Sequence, residues 1–358
     1  MQKILVRNLQ PGMITAEDIY AINGQLIVPK KVILSDSTIE KLTSFAIYSI
    51  RVEDAMSAVT PPGQQQDSYV ERIRANPDFA AFRSRFEKNV DTLRIGMNRI
   101  VDLNSNMDAE NLLSQTLSLI ESSKGSSISL MDMLLGMREF DDSTYAHCIS
   151  VSMICNILAG WLNMNENDRV LATSCGLFAD IGKTRIPEAI LTKAGPLSKT
   201  EFIAIKRHPI DGYNILDKAG LPEEVKNAAL MHHEKNDGSG YPYGFTGDKI
   251  SRFAKLVTVA DIYDAMTSPR AYREPFCPFD VIDQFEEEGF EKYDADIILT
   301  FLRNISNSFI GQRVRLSNGL EGEVIFIHPE NLSRPTIKCG DKFIDLTQYK
   351  NAKIVSVI

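Results

Sequence analysis

Between residues 128 and 309 the sequence offers helix after helix and no convincing run of alternating apolar and polar residues. A strand sends side chains to opposite faces at every second residue, whereas a helix gathers positions three and four apart onto one face. Within that stretch Val151, Ile154 and Leu158 recur at helical steps around His147, and the same apolar context surrounds Asp180 and Asp261. Such a segment predicts a mainly α-helical domain with several polar side chains carried into its interior. The chain has 358 residues, well beyond a typical domain of ~150, so smaller modules are expected on either side.

Residues 1–56 read as a small α/β module. Val6 and Leu9 precede a Pro11-Gly12 turn. Asn23-Gly24 is a hairpin signal before a strand at Gln25-Leu26-Ile27-Val28. Ser37-Thr38-Ile39-Glu40 has capping-box spacing, and Tyr48, Ile50 and Val52 alternate as a closing strand. Residues 57–68, SAVTPPGQQQDS, are rich in Pro, Gly and Gln and form the clearest linker.

A helical connecting region follows over 69–127. Asn76-Pro77 supplies a cap and a proline at the first helical position. Phe79, Phe82, Phe86, Val90, Leu93, Met97 and Ile100 then recur at steps of three and four. That ridge fits packing within its own domain, or a homodimer through the 69–127 helices. Leu113, Leu117 and Ile120 continue the pattern in a second helix. Residues 310–358 change period and read as a small all-β module. Val314 and Leu316 lead into an Asn318-Gly319 hairpin, Val324 and Phe326 answer them, and Gly340-Asp341 marks a second hairpin before Phe343. No internal repeat is visible.

Charge narrows the partners. Lys and Arg number 39 against 47 Asp and Glu, a net charge of −8. This argues against nucleic acid or an anionic membrane as the main partner, while leaving room for a local basic pocket that holds phosphate. The most apolar stretch, Ile149 to Leu162, is short for a membrane span and carries Ser150, Ser152 and Asn156, so a buried core helix is expected there. The opening MQKILVRNLQ lacks a secretory apolar region. Five scattered cysteines without a CxxC pair read as reduced thiols of a cytoplasmic protein.

Four of the five histidines lie between residues 147 and 233. His147 sits on an apolar helical stripe, where a lone histidine is ordinarily a hydrogen-bonded core residue. Asp180 lies in GLFADIGK (176–183), His208 precedes Pro209, and His232-His233 opens a segment that runs to Gly240-Tyr241-Pro242. Asp261 stands in a pattern too apolar for a surface carboxylate. Imidazoles with carboxylates suit iron, manganese or zinc. A carboxylate shared by two metals is a usual means of activating water for phosphoester attack. Singly each residue has a structural explanation; the ordered set does not.

These segments, in this order, resemble the HD-GYP family of cyclic dinucleotide phosphodiesterases, within the HD superfamily of metal-dependent phosphohydrolases. The resemblance covers residues 128–305. It rests on Ile181-Gly182-Lys183-Thr184-Arg185-Ile186-Pro187, on His208-Pro209, on HHEKNDGSGYP at 232–242 and on VADIYDAMTSPRAYR at 259–273. It implies a cytoplasmic enzyme of bacterial signal transduction that hydrolyses cyclic di-GMP with two divalent ions, iron or manganese. His147, Asp180 and Asp261 match positions holding one ion. Asp180 would bridge to a second, held by His208, His232 and His233. Lys183 matches a lysine at the scissile phosphate, which gives Asp180 and Lys183 the catalytic roles. Arg270 and Arg273 match residues that hold substrate phosphates, and Tyr241 matches a residue lining the nucleotide groove. Residues 1–56 are similar to a small module that often precedes this domain.

One position departs from the pattern. The family's paired motif places a histidine directly before the aspartate, and here Ala179 stands there. A methyl group donates nothing to a metal. If a four-ligand site gains ~10–16 kcal/mol from its ion, one lost donor costs on the order of 3 kcal/mol, roughly a hundredfold in affinity. The expectation is a phosphodiesterase impaired at its first metal. The alternative is an inactive effector or scaffold that binds cyclic di-GMP without turning it over.

Overall fold

Turn residues and alternation set the two ends of the chain, and helical periodicity sets its middle. In a computed structural model the described residues are 2–6, 9, 13–20, 26–32, 34, 38–39, 42, 47, 49–52, 69–103, 105–137, 143–193, 195–268, 276–349 and 352–358. Several expected features lie outside them: the Pro11-Gly12 and Asn23-Gly24 turns, Gln25, Ser37, Glu40, Tyr48, the 57–68 linker, Arg270 and Arg273. The molecule divides into two units, Met1–Gln65 with Pro187–Ile205, and Gln66–Ile186 with Lys206–Ile358.

In the first unit β1 (Gln2–Leu5) pairs antiparallel with β4 (Ser49–Val52), while β2 (Ile19–Tyr20) pairs with β3 (Leu26–Val28). Val6, Leu9, Ile19, Ile27, Val28, Leu34, Leu42, Ile50 and Val52 bury together as its core. Thr15 ties the loops down: its hydroxyl donates to the Pro29 carbonyl at 2.7 Å and accepts the Val32 N–H at 2.8 Å.

The second unit is helical. It opens with α1 (Tyr69–Ala75), α2 (Pro77–Leu103), α3 (Asn106–Ser123) and α4 (Leu130–Met137). Pro77 is the first residue of α2, and the Asn76 side chain accepts the Asp78 N–H at 2.9 Å, as the cap reading anticipates. The whole ridge from Phe79 to Ile100 is buried within the chain. In α3 the inward face is shifted from the expected one. Leu112, Thr116, Leu119 and Ile120 are buried, whereas Leu113 and Leu117 are half-buried. Gly96 of α2 explains the shift: a Cβ there would stand 2.8 Å from the methyls of Leu112, so its absence admits that side chain.

The second unit continues with α5 (Thr144–Trp161), α6 (Glu166–Phe178), α9 (His208–Lys218), α10 (Glu223–Met231), α11 (Arg252–Thr267), α12 (Pro278–Lys292) and α13 (Ala295–Ser308), while α7 (Glu188–Leu191) and all but the last residue of α8 (Lys199–Lys206) belong to the first unit. A 3-10 turn, Ile181–Arg185, follows α6. Helix α5 packs along α6 and α11, and α10 packs on α9, α11 and α6. No helix among the described residues is long and apolar enough to cross a membrane. Cys148, Cys155, Cys175, Cys277 and Cys339 are all free.

The tail forms one antiparallel sheet in the order β8-β7-β6-β5-β9, from β5 (Arg313–Leu316), β6 (Glu321–His328), β7 (Asn331–Cys339), β8 (Lys342–Asp345) and β9 (Ile354–Val357). Gly319 and Gly340 both adopt positive φ, +83° and +59°, at the two hairpin turns the sequence marks. Val324 and Phe326 do not share a face. The register shifts between them, so Val324 is buried and Phe326 is 51% exposed. Glu286 of α12 anchors the sheet by accepting the N–H groups of Leu332 and Ser333 at 2.6 and 3.1 Å.

Candidate metal centre

Each side chain of the site is placed by an ordinary helix signal. Ser143 caps α5 by accepting the Ala146 N–H, which sets His147 on the first inward turn. Helix α6 ends at Phe178, Ala179 caps it, and Asp180 leaves helical geometry at φ −96°, ψ 9° to open the 3-10 turn. His208 and Pro209 begin α9. His232 caps the end of α10, and Ser251 caps α11, on which Asp261 and Asp264 lie one turn apart.

Gly182 lets these pieces converge. A Cβ there would sit 2.0 Å from the His208 carbonyl oxygen and 2.6 Å from the Gly212 nitrogen. Only a residue without a side chain allows the turn after Asp180 to lie against α9. Gly240 does the same for the later loop, where a Cβ would meet the His233 carbonyl oxygen and the Glu234 Cα at 2.5 Å.

Two sets of ligand-type atoms result, sharing Asp180. Asp180, His208, His232 and His233 form one; His147, Asp180 and Asp261 form the other, and within each set the ligand atoms lie within 4.8 Å of one another. Asp180 Oδ1 stands 3.2 Å from His208 Nε2 and 3.5 Å from His232 Nε2. His208 Nε2 and His232 Nε2 are 3.3 Å apart. His232 Nδ1 faces the carbonyl oxygens of Ala229 and Ala228 at 2.9 and 3.2 Å. Carbonyls only accept, so Nδ1 carries a proton, and Nε2 is the nitrogen turned toward Asp180.

The other set is more fully paired. His147 Nε2 lies 2.8 Å from Asp261 Oδ1 and 3.5 Å from Asp180 Oδ2, while Nδ1 meets Asp264 Oδ2 at 2.7 Å. Lys183 donates to Asp180 Oδ2 at 2.5 Å. Ala179, 3% exposed, contributes only its methyl beside these groups.

The electrostatics follow from burial and partners. Burial pushes the His208 imidazole below its usual pKa, and burial reinforced by His232 pushes His233 well below. Both are thereby neutral donors. Burial also opposes charge on His147, but hydrogen bonds to Asp261 and Asp264 outweigh it and raise its pKa to about 9. For Asp180 burial is overcome by the Lys183 ammonium, and for Asp261 by the hydrogen bond from His147; both carboxyls are held below the usual range.

The loop after His233 is held as firmly. Asp237 accepts the N–H and hydroxyl of Ser239 at 2.9 and 2.7 Å, and Gly238 takes φ +78°. Tyr241 donates its N–H to the His233 carbonyl at 3.1 Å, and its ring stacks on His233 with centroids 4.7 Å apart. The Lys206 ammonium lies 4.8 Å from the same ring. Glu234, 2% exposed, accepts the N–H of Tyr243 at 2.7 Å on one oxygen and of Phe245 at 3.0 Å on the other.

The donors present fit a metal ion. Asp180 Oδ1 is buried and has no hydrogen-bond partner among the described residues, yet two imidazole Nε2 atoms converge on it. An uncompensated buried carboxylate oxygen is costly, and a cation supplies what it lacks. Nitrogen and carboxylate donors suit first-row divalent metals.

Thus His147, Asp180, Lys183, His208, His232, His233, Tyr241 and Asp261 gather at one place, and Arg270 and Arg273 lie outside the described residues. Sequence reasoning missed Asp264, Glu234 and Lys206. Asp264 had a signal, lying three residues after Asp261 in the same apolar pattern. Glu234 stood in the HHEKNDGSGYP segment without an assigned role, and Lys206 had no signal, because the groups they meet are brought to them only in the fold.

Residues 111–297 match the family model described as HD domain. A cyclic di-GMP phosphodiesterase of Pseudomonas aeruginosa is 33% identical over 206 residues, covering 57% of this chain and 50% of that protein. The cyclic di-GMP phosphodiesterase response regulator RpfG of Xanthomonas campestris is 37% identical over 136 residues, 37% of this chain and 36% of its own. A 3′3′-cGAMP-specific phosphodiesterase of Vibrio cholerae is 37% identical over 130 residues, 36% of this chain and 28% of its own. The chain spans half or less of the length of these three relatives.

Proposed function

The chain belongs to the HD domain family and carries an HD-GYP domain, and from that premise we propose that it is a metal-dependent phosphodiesterase of cyclic di-GMP, impaired at its first metal by Ala179. The observation that carries this reading is the buried, unpaired Asp180 Oδ1 facing His208 and His232, with His233 completing the set. Asp180, His208, His232 and His233 would hold one ion, iron or manganese. His147, Asp180 and Asp261 would hold the other, the first metal beside Ala179, more weakly. The chemistry gained from such ions is Lewis-acid polarisation of a phosphoryl oxygen and a water of lowered pKa.

The chain's own residues supply the rest. Asp180 turns one oxygen to each set and so fixes their spacing. The Lys183 ammonium, 2.5 Å from Asp180 Oδ2, neutralises charge as it builds on the phosphate and assists the leaving oxygen. Arg270 and Arg273 offer guanidinium forks for the substrate phosphates. His233 and Tyr241, stacked at 4.7 Å, join the metal centre to the nucleotide groove.

Ala179 favours a second reading, a cyclic di-GMP-binding effector or scaffold without turnover. One experiment separates the two. The chain is purified without oxygen, loaded with manganese or ferrous iron, and incubated with cyclic di-GMP and, in parallel, with 3′3′-cGAMP, with products resolved by chromatography. Cleavage of cyclic di-GMP supports the enzyme; binding without cleavage supports the effector. Absence of both, in this chain and in Ala179→His, overturns the two readings together.

A further inference from the structure

A cyclic dinucleotide carries two purine bases, and a site that positions one of its phosphates must also receive at least one base close by. The loop bearing Tyr241 is where that need can be met. Tyr241 itself is engaged, stacked on His233 and approached by the Lys206 ammonium. Two residues further on, Tyr243 is 56% exposed. Its ring lies 5.2 Å from that of Phe245 at an interplanar angle of 30°, which makes a paired aromatic surface.

This surface is held in advance of any ligand. The backbone N–H groups of Tyr243 and Phe245 are the two donors bound by the buried Glu234 carboxylate. Glu234 follows His233 directly in sequence, so one short run carries a metal-set imidazole, the clamp and the aromatic pair. Tyr243 follows Tyr241 by only two residues, so its backbone stays within ~8 Å of the residue stacked on His233.

We propose that Tyr243, backed by Phe245, is a stacking platform for one purine base of the cyclic dinucleotide. The inference rests on the substrate class proposed above and deepens it by naming a base subsite. Stacking needs a π face and no charge, so Tyr243 contributes affinity for purine nucleotides while Lys183 and the metal ligands act on the phosphate.

The test uses the full metal-loaded chain with two probes: cyclic di-GMP by calorimetry, and the same dinucleotide with one guanine replaced by fluorescent 2-aminopurine. Tyr243→Ala should weaken binding roughly 5- to 150-fold and relieve the quenching of 2-aminopurine. Tyr243→Phe, which keeps the ring, should bind within about 2-fold of the unaltered chain and keep the quenching. Metal content and melting temperature should be the same in all three. If Tyr243→Ala binds and quenches as the unaltered chain does, the subsite is wrong and the substrate reading stands. If the unaltered chain binds neither probe, the substrate reading falls and the subsite with it.

Discussion

Asp264 Oδ2 lies 2.7 Å from His147 Nδ1, and that contact leaves Nε2 of the same ring directed at Asp261 and Asp180. A carboxylate behind a metal-type histidine fixes both its orientation and its protonated nitrogen. Asp264→Ala should therefore lower metal affinity about 10- to 100-fold, read by chelator competition in this chain and in Ala179→His. Asp264→Asn keeps an acceptor and should lose less. Unchanged affinity in Asp264→Ala would remove His147 from the ligand set.

Ala179 makes the sharpest prediction about metal content. Elemental analysis of protein purified without oxygen should find fewer ions per chain than in Ala179→His. Turnover of cyclic di-GMP should rise at least ~10-fold in that variant, the rate equivalent of ~1.4 kcal/mol. Saturating manganese or ferrous iron is needed, because excess metal separates weak occupancy from lost chemistry. Two ions in each protein would clear Ala179 of the lesion.

Gly182→Ala tests the approach that assembles the site. The added methyl would fall 2.0 Å from the His208 carbonyl oxygen, against backbone that cannot rotate away. The expected cost is about 3 kcal/mol, the upper end of overpacking penalties, seen as a fall in melting temperature with loss of metal retention. A melting temperature equal to that of the unaltered chain would mean the turn has room that the fold does not show.

Glu234→Gln tests the clamp. One of the two loop N–H groups would then face an amide NH₂ and lose its acceptor, at a cost of ~1–3 kcal/mol. Hydrogen exchange at the Tyr243 and Phe245 amides should accelerate while the amides of α5 and α11 keep their protection. Exchange unchanged at both amides would show that other contacts hold the loop.

Periodicity was enough to read the long helices and the tail strands, because burial of one face leaves its spacing in the chain. Phe79 to Ile100 is such a case, since all seven positions of that ridge are buried. It failed where one small residue or a slipped register altered the face. Gly96 drew Leu112 inward in place of Leu113, and a register shift turned the Phe326 side chain to the exposed face of the sheet. Neither effect is local to the residues it moves, so neither shows in their spacing.

For the site, the residue types and their order already pointed to a metal centre: imidazoles and carboxylates in apolar contexts are too costly to bury without a shared purpose. The expectation of a histidine where Ala179 stands came from the resemblance to the family and from nothing in the residues around it. What the sequence could not state is who faces whom. That His232 points its Nε2 at Asp180 follows from two carbonyls at the end of α10. That Asp264 backs His147 follows from the packing of α11 on α5, 117 residues apart in sequence. Glu234 became a clamp only when the loop folded back over it. Residue identity sets which bonds are possible; the distances between distant segments, fixed by helix packing and by the glycines that permit it, decide which of them form.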